Sequence, residues 1–133
     1  MIYLLMGIGG MLGALLRYSL GEWIGTGGVA LFPLGTLIVN FAGCFVLAFF
    51  YAATTTRFTV HPHFRSSFGT GFVGSFTTFS AFSREMTDLM GAGHLGSAAL
   101  YAAGSLLGGF LATAAGVRLG TLKHRQTGEE RGA

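Results

Sequence analysis

Four runs of mostly apolar residues, covering positions 2–24, 32–53, 67–90 and 96–119, alternate with short polar joints at 25–31, 54–66 and 91–95. A helix needs about 20 predominantly apolar residues to cross the hydrocarbon core of a bilayer. The pattern therefore predicts an all-α membrane protein with four transmembrane helices in one domain, residues 1–120. The polar end, 121–133, reads as a solvated, frayed tail. The first run has no basic lead-in and is longer than the core of a signal peptide, so it reads as a retained span.

The third run breaks the pattern. Between Gly74 and Glu85 it sets hydroxyls at Ser75, Thr77, Thr78, Ser80 and Ser83 between Phe76, Phe79 and Phe82. Phe79 and Phe82 are three apart and would share one helix face. Gly69, Gly71 and Gly74 weaken the helix just ahead. Together these predict a third helix broken in mid-membrane. Non-helical backbone at that depth is tolerated only inside protein or beside a water-filled cavity, so the break is a candidate site. Ring edges carry partial positive charge and attract an anion weakly enough to release it, as conduction requires. Carbonyls freed at the break have the opposite sign and suit a cation. Packed aromatics of a structural core are the plainer alternative.

The other runs carry fewer polar groups. Thr36, Asn40 and Gly43 form a narrow polar stripe on the second helix. Asn40 is expected to donate to an ion in a pore, with interhelical hydrogen bonding as the alternative. Arg17 is expected to snorkel to the interface with Tyr18 and Trp23 as belt residues; the other reading is a cation in a vestibule that attracts anions. Gly9 and Gly13 allow another backbone to approach. On the fourth helix, small residues at 104, 108, 112, 116 and 120 predict a packing seam. Tyr101 and Ser105 are four apart there and add hydroxyls to a pathway or cross-link helices. Glu85 lies near the end of the third span, beside Arg84 and Asp88.

Composition sharpens this picture. Of 133 residues, 51% are hydrophobic and only 10% charged, well below the roughly 25% of a soluble chain. The formal net charge of +3 resides mostly in the second joint and the tail, so no nucleic-acid partner is implied. The lone Cys44 excludes an intrachain disulfide. His61 and His63 have no nearby third ligand in the sequence. No nucleophile, base and acid arrangement, phosphate loop or dinucleotide fingerprint is present, which argues against an enzyme.

Three motifs together resemble the Fluc (CrcB) family of fluoride channels: the glycine-rich run into Arg17-Tyr18, the Gly35-Thr36-Leu37 to Val39-Asn40 to Gly43 stretch, and Thr77-Thr78-Phe79-Ser80 through Phe82-Ser83 to Glu85. The resemblance covers all four spans in order. It implies a passive fluoride channel of the plasma (inner) membrane that exports cytoplasmic fluoride and lessens its toxicity. It further implies an antiparallel, dual-topology dimer with two pores and a central structural sodium ion. Asn40 looks like the family's pore asparagine, and Phe79 and Phe82 like its pore phenylalanines. The sodium would be held by main-chain carbonyls of Gly74 and Thr77. Thr36, Tyr101, Ser105 and Glu85 match positions associated with the polar track. Departures are Ser75 where many members have glycine, Ala81 where they have threonine, and Gly109 where some have serine.

Arg57, Arg65, Arg118, Lys123, Arg125 and Arg131 fall on one side, which by the positive-inside rule favours one orientation. An antiparallel homodimer needs both, so a heterodimer with an oppositely oriented sister chain stays open. Competing functions are a small multidrug-type, proton-coupled exporter of cations and a non-conducting assembly subunit. The first needs a carboxylate near the membrane centre, whereas Glu22, Glu85 and Asp88 lie near span ends. The second leaves Asn40 and the phenylalanine pair unexplained.

Overall fold

In a computed structural model, residues 1–25 and 32–129 are described. Most of the first expected joint and the last residues of the tail fall outside them. The helices are α1 (Ile2–Gly25), α2 (Leu34–Thr56), α3 (Pro62–Ser66), α4 (Gly74–Phe76), α5 (Phe79–Gly91) and α6 (Leu95–Glu129), with a π-helical stretch, Ser67–Val73, between α3 and α4. The described residues contain no strand.

Among the described residues, three helices are long and apolar enough to cross a bilayer unbroken: Ile2–Ile24, Leu34–Thr56 and Leu95–Leu122. The third crossing is assembled from the π-helical stretch, α4 and α5, with a break at Thr77 and Thr78. The chain is thus a four-helix membrane protein with one helix bent, as the hydroxyls and glycines of that run lead one to expect. Large apolar side chains such as Leu4, Leu12 and Leu15 of α1 and Leu106, Phe110 and Leu111 of α6 face outward, an arrangement that suits lipid and not water.

Local chemistry sets the element ends. Hydroxyls of Thr54 and Thr56 return to the carbonyls of Phe50 and Ala52 at the end of α2. Pro62 opens α3, where its missing N–H costs nothing, and His61 Nδ1 accepts from His63 N. Gly93, at φ 78°, ends α5 in the left-handed conformation, and His94 N reaches back to Leu89 O. The fourth helix runs beyond its expected end at 119 and continues to Glu129. No proline interrupts that stretch, and its Lys, Arg and Gln are good helix formers. Apolarity alone marks where the membrane ends, not where the helix does.

Alternate helices run side by side and in the same direction. Backbone of α1 around Gly9 and Gly13 lies against Ser67, Phe72 and Phe76 of the third crossing. Phe41, Phe45 and Phe49 of α2 lie against Gly108, Gly116 and Gly120 of α6. The expected seam on α6 is thereby placed against α2, except that Gly104 faces open space. At Gly13 a Cβ would overlap the Phe72 carbonyl oxygen, a backbone atom that has no room to yield. Gly13→Leu is therefore expected to cost at least about 1–3 kcal/mol of overpacking and to lower the melting temperature in detergent. Gly7→Leu, which meets nothing within 4 Å, serves as the control.

Candidate ion pathway

The break is a capped structure. Thr77 and Thr78 have extended backbone, with φ/ψ of −77°/156° and −147°/126°. Thr77 N still donates to Val73 O at 3.0 Å, closing the first half of the crossing. Thr78 N turns instead to Asn40 Oδ1 of α2 at 2.8 Å, and Asn40 Nδ2 donates to Thr78 O at 2.9 Å. One amide thus completes both main-chain polar groups of a residue that the helix has abandoned. Thr78 Oγ1 accepts from Ala81 N at 3.2 Å and starts α5 as its N-cap. Gly43, one turn beyond Asn40, leaves room for the Thr77 methyl group.

The same geometry changes the carbonyls expected to hold a cation. In an unbroken helix Thr78 N would serve Gly74 O and Ala81 N would serve Thr77 O. Both donors are diverted, to Asn40 and to Thr78 Oγ1. Ser75 O receives Arg17 Nε at 3.2 Å. The expectation that Arg17 snorkels outward is overturned: the guanidinium bends inward onto the broken helix, where an unserved carbonyl is the better partner.

A groove of about 480 Å³ opens beside the break. Asn40, Thr77, Thr78, Phe79, Phe82 and Ser105 all contribute to its wall. The rings of Phe79 and Phe82 lie 5.7 Å apart, and Phe82 lies 5.0 Å from the ring of Tyr101. Phe79 is 78% exposed, so the groove has an open side in a single chain. Asn40 Nδ2 carries two hydrogens and spends one on Thr78 O.

Thr36, Glu85 and Tyr101 form a separate group. Thr36 Oγ1 donates to Glu85 Oε1 at 2.6 Å, and Tyr101 Oη donates to Oε2 at 2.6 Å. Tyr101 is fully buried, against Leu89, Ala98 and Phe32. Glu85 is therefore no free helix-end carboxylate; Arg84 and Asp88 face each other at 3.9 Å on the exposed side. Of the residues expected along a polar track, only Ser105 shares the groove with Asn40 and the phenylalanines. A vestibule of about 590 Å³ lies on the other side of the break, with Arg17, Glu22, Thr36, Arg84 and Glu85 in its wall. Thr78 lines both spaces and is the partition between them.

Two residues of the third run take roles that the sequence reading did not assign them. Ser75 supplies the carbonyl that holds Arg17, and no side-chain signal announces a backbone role. Thr78 supplies the cap; a threonine just ahead of an amphipathic run is an N-terminal signal that the sequence did carry.

Three unbroken spans and a fourth interrupted in mid-course define a multi-pass helical membrane protein, with polar groups converging on the interruption. Residues 4–117 match the family model described as CrcB-like protein, Camphor Resistance (CrcB). The chain is 49% identical over 116 residues to "Fluoride-specific ion channel FluC 2" of Geobacillus kaustophilus, covering 87% of this chain and 90% of that one. It is 42% identical over 132 residues to "Fluoride-specific ion channel FluC 1" of Bacillus thuringiensis subsp. konkukian, covering 97% and 96%. A relative from Stutzerimonas stutzeri, "Fluoride-specific ion channel FluC", is 40% identical over 114 residues, covering 86% and 92%. The chain belongs to the CrcB-like family.

Proposed function

We infer that this chain is the subunit of a passive, fluoride-selective channel. The observation that carries the reading is the near full-length similarity to relatives named fluoride-specific ion channels. The site agrees with it chemically. Fluoride is small and strongly hydrated, so entry requires donors that replace water. Asn40 Nδ2 has a hydrogen to spare, Ser105 adds a hydroxyl, and the edges of Phe79 and Phe82 add weak attraction along the same groove. Weak, multiple contacts allow release as well as binding. Fluoride enters a cell as the neutral acid and is trapped as the anion near neutral pH. An open pore then suffices for export, because a membrane potential supplies about 2.3 kcal/mol per charge per 100 mV.

Two chains of opposite orientation are proposed to complete the pathway. Support comes from the groove's open side, where Phe79 stands largely exposed. A sodium ion is proposed at the break, held by the main-chain carbonyls of Gly74 and Thr77. Its fit rests on the diversion of the two N–H groups that would otherwise serve them. Bound there, the ion would supply a fixed positive charge that braces carbonyl dipoles of like sign.

Efflux from liposomes containing the purified chain tests the function. With fluoride or chloride inside and a potassium ionophore to discharge the potential, fast fluoride release with negligible chloride release is expected. Absence of fluoride release, both alone and with an oppositely oriented sister chain, would refute the assignment.

A further inference from the structure

The end of the bundle remote from the vestibule is basic. There the C-terminal turn of α2 meets the same end of the α6 span: Thr56 Oγ1 donates to Gly120 O at 3.3 Å, and Arg57 Nη2 donates to Leu119 O. Arg57 Nε is buried and has no hydrogen-bond partner among the described residues. Arg118 is exposed on the adjacent turn. Among residues 1–24 and 32–122 no carboxylate answers these cations, since Glu22 and Glu85 line the vestibule and Asp88 faces Arg84.

Beside them runs an open groove of about 1280 Å³ along α6, with Phe110, Leu111 and Ala114 on one side of Arg118, Leu122 one turn beyond it, and Thr56 also in its wall. From Phe110 to Arg118 the helix rises about 12 Å, most of one leaflet of a hydrocarbon core roughly 30 Å thick. An apolar track of that depth beside a guanidinium group has the polarity of one phospholipid.

We propose that this groove binds a phospholipid with an anionic headgroup, its phosphate on Arg118 and one acyl chain along Phe110, Leu111 and Ala114. The Arg118 guanidinium fork matches a phosphate's oxygens, and Arg57, held at the neighbouring Leu119 O, adds a second positive charge nearby. A zwitterionic lipid offers the same phosphate but places its own cation beside the arginines, so anionic lipid is preferred. The inference is independent of which ion the channel conducts.

Native mass spectrometry of the full-length protein in mild detergent, titrated with phosphatidylglycerol or phosphatidylcholine, tests it. One phosphatidylglycerol per chain is expected to persist, bound at least about five-fold more tightly than phosphatidylcholine, since one arginine near anionic lipid contributes about that factor. Arg118→Gln should erase about five-fold of this preference. It is the better variant, because Arg57→Gln also removes the contact to Leu119. Ala114→Trp, which fills the track and leaves the charges alone, should weaken both lipids. Equal retention of the two lipids, or undiminished preference in Arg118→Gln, would overturn the proposal. So would displacement of phosphatidylglycerol by millimolar inorganic phosphate, which would reveal an anion site with no acyl track. Unchanged lipid binding in Ala114→Trp together with loss of the dimer would overturn it too, by giving the groove to a second copy.

Discussion

Asn40→Asp is expected to suppress fluoride efflux by at least about ten-fold. The substituted carboxylate keeps the acceptor for Thr78 N but loses the donor to Thr78 O, 2.9 Å away in the native protein. An anionic oxygen then faces a carbonyl oxygen, and a negative charge stands on the wall of the groove. Breaking one half of this partly buried pair costs about 1 kcal/mol, towards the low end for a stranded group, and the charge opposes an incoming anion besides. Asn40→Ala separates the two effects: it strands both polar groups of Thr78 yet adds no charge. Its thermal stability should fall by a similar or larger amount while its flux falls less than that of Asn40→Asp. The check is efflux per reconstituted chain beside a melting curve in detergent. Undiminished flux in Asn40→Asp would leave Asn40 as a brace for the break and nothing more.

Phe79→Ile and Phe82→Ile should each lower fluoride flux on the order of ten-fold, for want of the positive ring edge that an aliphatic side chain lacks. Their stability effects should differ. Phe79 is 78% exposed, so its replacement should leave the melting temperature within about a degree or two. Phe82 packs against Tyr101 with ring centroids 5.0 Å apart, so its loss should cost about 1–2 kcal/mol. A flux that survives both changes while the protein remains folded would remove the rings from the pathway and return them to packing.

Much of this architecture was legible because a bilayer is a simple solvent. Length and apolarity located the spans, and hydroxyls with glycines located the interruption. What the sequence held less openly were relations between elements. Thr36, Tyr101 and Glu85 read as stations on one polar track, yet two hydroxyls close on one carboxylate and stand apart from the groove. Spacing along one helix cannot show which helix the side chain meets. Arg17 followed the habit of helix-end arginines in the sequence reading, but a carbonyl freed by a break on another span captured it. Asn40 was expected to face an ion; its first obligation is to Thr78. For Arg17 and Asn40 the deciding partner was a backbone group, and backbone groups have no letter in a sequence.

The double hydrogen bond between Asn40 and Thr78 also bears on how the protein enters its membrane. A span whose peptide groups are completed by a neighbour cannot pass into lipid on its own, since each unpaired polar group there costs several kcal/mol. The second helix, unbroken and strongly apolar, has no such debt. The third crossing is therefore expected to enter the bilayer more readily once the second helix is beside it, the two moving as a unit. Biogenesis of this chain is then a matter of pairing before partitioning, with one amide as the coupling.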